Sequence, residues 1–154
     1  ENSRDAAQAR MQDELKDEKA IALLEKTLYK KVQESPNEPY YNDMLIWHLL
    51  QQKEFGKAFI QARGMDKRYR LEGQRIVEIG FMAMQNRDFP AAGRVFEYLV
   101  KEYPRSANYP VYRRLLINAK EEVVKTTYPV NDADIRILIG EYQKLFGELG
   151  RNQK

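Results

Sequence analysis

NRDFPAAGRVFEYLVKEYP, residues 86–104, has an earlier counterpart in QQKEFGKAF, residues 51–59. Gln51 matches Gln85, Lys53 matches Arg87, Glu54 matches Asp88, Phe55 matches Phe89 and Ala58 matches Ala92, every pair at the same separation. Within the later stretch, Phe89, Ala92, Phe96, Leu99 and Tyr103 recur at steps of three and four, which places them on one face of an α-helix. Asp88 stands where an N-cap belongs. Pro90 is tolerated in a first turn, where its missing N–H has no helical partner. Pro104 ends the helix, because the residue before a proline avoids helical dihedrals.

Extended outward, the same periodicity predicts eight helices, at about 4–14, 17–34, 39–52, 55–65, 72–86, 88–103, 107–126 and 132–147. Strand signals are poor, with few alternating runs and no Asn-Gly or Asp-Gly hairpin turn. Short breaker segments join the helices: Ser35-Pro36-Asn37, Lys53-Glu54, Arg87-Asp88, Pro104-Arg105-Ser106 and Tyr128-Pro129-Val130-Asn131. Connections of this length make successive helices antiparallel neighbours. The fold class is therefore all-α, a series of helical hairpins.

A fixed interval between matching residues, such as that from Phe55 to Phe89, marks stacked repeats, in which each hairpin buries its apolar face on the next. Here the chain resembles the tetratricopeptide repeat (TPR) family, whose period is the one these pairs keep. Residues 73–106 carry the pattern through Gly80, Ala83, Phe89, Ala92, Phe96, Leu99 and Pro104. Residues 39–72 carry it in part through Leu45, Leu49, Phe55 and Ala58, while Met65 and Arg70 stand where Ala and Pro are usual. Ala20, Leu24 and Thr27 resemble a second helix ahead of these units, and Tyr112, Leu115, Leu116 and Ala119 resemble a first helix behind them. The resemblance implies a right-handed α-α superhelix, a TPR-like solenoid of about four hairpins over residues 1–154. Its units would be about 4–36, 39–72, 73–106 and 107–149 of a longer array.

Length and composition set the other bounds. The chain has 154 residues, 43% of them hydrophobic and 32% charged, enough for a sizeable core and unlike a disordered segment. It has no cysteine, which excludes disulfides, thiolate catalysis and cysteine-bound zinc. It carries 26 basic and 23 acidic residues, so no strong positive field favours nucleic acid. No apolar run is long enough to span a membrane. The start at Glu1 fits a processed protein or an excised piece. The long, divergent repeats are similar in style to those of bacterial cell-envelope tetratricopeptide proteins, with the cytoplasm as the alternative compartment.

Catalytic constellations are missing. His48 is the single histidine, which rules out a two-histidine metal site. Asp132 and Asp134 share the opening of a calcium loop, but Arg136 and Ile137 stand where an oxygen ligand and Gly are needed. Those acids are expected to cap the last helix. Gly56-Lys57-Ala58 lacks the remaining residues of a phosphate loop. The reading is a non-enzymatic chain without cofactor, metal or small-molecule substrate.

The resemblance implies that first helices line a concave face that holds an extended peptide or a partner helix. Carrying the register across, Trp47 and Phe81 are equivalent, one repeat apart. Tyr40, Asp43 and Gln51 would share that face in one unit, and Val77, Glu78, Met84 and Gln85 in the next. Arg113, Ile117 and Lys120 would continue it. Aromatic anchors rimmed by polar groups suit a protein partner, although Trp47 and Phe81 also fit simple packing between first helices. The competing reading is a nucleic-acid-binding repeat. It would use the corner 63–75, whose Arg63, Lys67, Arg68, Arg70 and Arg75 surround Tyr69. In the last helix, Ile135, Ile137, Leu138, Ile139, Tyr142, Leu145, Phe146 and Leu149 cover much of the circumference. That pattern predicts a second covered side, through a following repeat or self-association by 132–147.

Overall fold

A computed structural model describes residues 2–14 and 18–151. Among them the chain forms eight helices and no strand: α1 (Asn2–Glu14), α2 (Glu18–Glu34), α3 (Pro39–Gln51), α4 (Phe55–Tyr69), α5 (Gln74–Gln85), α6 (Phe89–Glu102), α7 (Tyr109–Thr126) and α8 (Asp132–Arg151). The all-α expectation holds. The expected start of the second helix at position 17 lies outside the described residues. From α2 onward, each helix packs against its neighbour in the chain, and α4 also reaches α6.

Local chemistry sets the helix ends. Asp88 Oδ1 accepts from Ala91 N–H at 3.0 Å at the start of α6, with Pro90 in its first turn. Glu38 plays the same part for α3, ahead of Pro39. For α8 the capping oxygen is that of Asn131, which accepts from Ala133 N–H at 2.9 Å. Asp132 and Asp134 instead occupy the first turn, where the positive helix end favours them.

The repeated phrase forms a repeated turn. After α3, Lys53 N–H donates to Leu50 O and Glu54 N–H to Leu49 O; after α5, Arg87 N–H donates to Met84 O and Asp88 N–H to Ala83 O. Both are Schellman closures, and Lys53 and Arg87 hold the left-handed position at φ 57° and 62°. The second corner differs. Arg70 (φ 53°), Glu72 (φ 54°) and Gly73 (φ 76°) turn α4 into α5. Proline, locked near φ −65°, cannot take the Arg70 conformation, which accounts for that departure from the usual pattern.

One core runs through the helices, built from Leu45, Ile46, Leu49, Phe55, Ala58, Ile76, Ile79, Ala83, Ala92, Val95, Phe96 and Leu99, all buried. Gly80 is where α5 meets α6: a Cβ there would lie 2.8 Å from both Phe96 Cζ and Val95 Cγ1. Polar links join helices two apart at a constant separation. Lys57 Nζ reaches Glu25 at 3.2 Å, Arg75 pairs with Asp43, and Tyr98 OH donates to Asp66 Oδ2 at 3.0 Å. Each pair is 32 residues apart and connects, in turn, α2 with α4, α3 with α5, and α4 with α6.

α8 is held differently. Arg113 of α7 donates to Glu141 and Glu148, each at 3.1 Å, and Tyr142 OH donates to Glu121 at 2.6 Å. Burial alone would push Glu141 upward, but Arg113 and Lys120 outweigh it and hold the carboxyl below its usual range. Among the described side chains of α8 none is buried, and Ile135, Ile137, Ile139 and Phe146 are exposed.

Candidate functional site

α5 and α7 flank a groove of about 440 Å³. From α5 come Gln74, Val77, Glu78 and Phe81; from α7 and its start come Asn108, Val111, Tyr112 and Leu115. Phe81 is 43% exposed, yet its ring meets buried Phe96 in a T-shaped contact with centroids 6.1 Å apart. The side chain is therefore anchored to the core on one side and lines the groove on another. Val111 is also open to solvent, at 39%. Apolar walls with a few polar groups at the edge are what a binding groove presents to a partner.

The groove continues into a second, more polar one of about 650 Å³ at the corner between the hairpins. Gln74, Asn108 and Tyr112 line both. The corner adds Glu72, Glu102, Tyr103, Pro104 and Arg105, with Ser106 and Ala107. Its shape depends on Asp66, a buried carboxylate on α4. Asp66 Oδ1 accepts from Gly73 N–H at 2.8 Å, and Oδ2 accepts from Tyr98 OH and from Tyr103 OH. Burial, then the hydrogen bond to Asp66, pushes both phenols well above their ordinary range.

Of the expected interaction residues, Val77, Glu78 and Phe81 come together in the groove. Met84 is half-buried and Gln85 is exposed at the end of α5. On α3, Tyr40 is exposed and stacks edge-on to Tyr41, Trp47 is half-buried and Gln51 is exposed. None of these lines the α5–α7 groove. Asp43 is engaged by Arg75 and by Arg4 of α1, the latter at 3.3 Å.

Arg113 and Ile117 are buried, and neither lines the groove. Arg113 faces the acids of α8, and Lys120 reaches Glu141 at 3.3 Å. The physical reason is register. Arg113 and Ile117 lie one repeat beyond Ile79 and Ala83, which are core positions. The residues that do line the groove were available from the same step. One repeat on from Gln74, Val77, Glu78 and Phe81 stand Asn108, Val111, Tyr112 and Leu115.

The basic corner 63–75 is largely engaged internally. Arg63 lies over the Phe59 ring at 5.7 Å, Arg68 donates to the Pro36 carbonyl and Arg75 pairs with Asp43. Tyr69 is half-buried, so its ring is not a free stacking platform, and its hydroxyl has no hydrogen-bond partner among the described residues. Lys67 and Arg70 remain exposed. His48 is fully buried, within electrostatic reach of Glu25 of α2 and Lys57 of α4, and neither ring nitrogen has a hydrogen-bond partner among the described residues. No group of three or more metal-ligating side chains is assembled among the described residues, and none of their helices is long and apolar enough to cross a membrane. No family model, curated protein or solved structure matches the chain.

Proposed function

We propose that this chain is a non-enzymatic protein-interaction module, a right-handed TPR-like solenoid that holds a segment of a partner protein in the α5–α7 groove. The observation that carries the reading is the groove itself: Phe81 and Val111, exposed on neighbouring first helices, with Val77 and Leu115 beside them. Support for the repeat architecture comes from the Schellman turn duplicated one repeat apart and from the three polar links of equal span. Buried aromatic and aliphatic anchors account for most of the affinity of such contacts. The nucleic-acid reading has less behind it, because three of the five cations at 63–75 already have partners within the chain.

The test compares binding of a partner segment to the wild-type chain with Phe81→Ser and Leu115→Ser. Both variants are expected to lose binding while keeping the helical circular dichroism of the parent. Undiminished binding by both would refute the groove.

The proposal includes association of two copies through α8. Ile135, Ile139, Tyr142 and Phe146 follow the alternating four-three spacing of a helix-pairing seam, and the two Ile members and Phe146 are exposed. Light scattering should report a mass that rises with concentration and falls to the monomer in Ile139→Lys.

A further inference from the structure

The α5–α7 groove and the corner groove share three residues and form one trough with unlike ends. The inner end is apolar, walled by Val77, Phe81, Val111 and Leu115. Toward the corner stand Glu72 and Glu102, against a single guanidinium, that of Arg105, while Glu78 lies between them and Phe81 on the α5 wall. None of these four charged side chains takes part in an ion pair or side-chain hydrogen bond among the described residues. The nearby Arg75 cannot compensate them, since it is committed to Asp43. On a chain with net charge +3, a trough with three unpaired carboxylates is a local reversal of sign.

We propose that the segment bound here is cationic at one end and apolar at the other. Its Lys or Arg side chains lie at Glu72 and Glu102, and its Leu- or Phe-type side chains lie against Phe81 and Val111. This rests on the groove reading above. Complementary charge sets direction and partner choice, while the apolar end supplies affinity. An acidic segment entering the same trough would bring carboxylate against carboxylate, and a nucleic-acid phosphate backbone would meet the same repulsion. The two ends also impose a polarity, since a segment threaded backwards would set its cations on Phe81 and its apolar side chains among carboxylates.

A displayed library of randomised peptides, selected on the full chain, tests this. The recovered peptides are expected to join Lys or Arg to Leu, Phe or Ile within a short stretch. A labelled peptide of that set should bind the Glu72→Gln/Glu102→Gln variant about tenfold more weakly and with a flatter salt dependence. Both substitutions are at exposed positions and leave the core untouched. Acidic or neutral peptides that bind the Gln variant at full strength and are lost in Phe81→Ser would overturn the charge assignment and leave the groove standing. Peptides unaffected by Phe81→Ser, or no recovery at all, would overturn the groove reading and this inference together.

Discussion

Asp66 joins two hairpins through one buried carboxylate, and its removal should be among the most damaging single changes in the chain. The side chain is 3% exposed, and its three donors come from the corner (Gly73 N–H) and from α6 and its end (Tyr98 OH and Tyr103 OH). A hydrogen bond to a charged acceptor contributes about 1.5–3 kcal/mol, and a buried donor left without a partner costs about 1–3 kcal/mol. Tyr103 is half-exposed and can turn to water, so its loss counts least. Gly73 N–H and Tyr98 OH are buried and have no such recourse. Asp66→Ala should therefore cost about 3–5 kcal/mol, a large part of the roughly 5–15 kcal/mol typical of a folded domain. Asp66→Asn keeps an acceptor for Gly73, and the phenols can reorient, which limits the loss to about 1–2 kcal/mol. Urea unfolding followed by circular dichroism gives these values, and a double-mutant cycle with Tyr98→Phe isolates the contact. A loss below about 1 kcal/mol for Asp66→Ala, or strict additivity with Tyr98→Phe, would refute the idea that this carboxylate ties α4, α5 and α6 together.

Lys53 and Arg87 occupy left-handed positions that favour glycine, so Arg87→Gly should stabilise the fold by roughly 0.5–1 kcal/mol, read as a higher urea midpoint. Exchanging glycine for alanine should change sign with place: Gly80→Ala collides with Phe96 and Val95 and costs about 1–3 kcal/mol. Gly140→Ala, in helix α8 with nothing within 4 Å, should gain about 1 kcal/mol in the same assay. Burial lowers the His48 imidazole below its ordinary range; Glu25 opposes this and Lys57 adds to it. Below about pH 6.5 the unfolded chain takes up a proton that the folded chain resists. Stability should therefore fall as pH drops through that value, and His48→Leu should flatten the melting temperature between about pH 7 and pH 5.5.

The helices were legible because the apolar positions recur with the helical period and because Asp88, Pro39 and Pro90 mark their starts. α4 runs to Tyr69, beyond the expected 65, and the fold buries Asp66 in that extra turn under three donors. Of the groove, the α5 half followed from register through Val77, Glu78 and Phe81. The α7 half did not, because Arg113 and Ile117 stand two residues out of that register, one repeat beyond the core residues Ile79 and Ala83, whereas Val111 and Leu115 keep it. Arg113 reads as a surface cation. Its burial depends on Glu141 and Glu148, which lie 28 and 35 residues further on and come from a helix whose docking no local pattern specifies.

The α3–α5 and α5–α7 junctions differ for a reason that residue pairs explain. At the first, Asp43 of α3 and Arg75 of α5 bridge the helices, with Arg4 joining from α1. One repeat later the same positions are Val77 and Tyr109, which cannot form an ion pair. The bridge has no counterpart between α5 and α7, and its place on α5 belongs to a groove wall. An apolar wall there leaves surface to bury, whereas the bridged pair has already met its charges within the chain. The same sequence interval thus places an ion pair at one junction and valine with tyrosine at the next, and the first is fastened where the second opens as a groove.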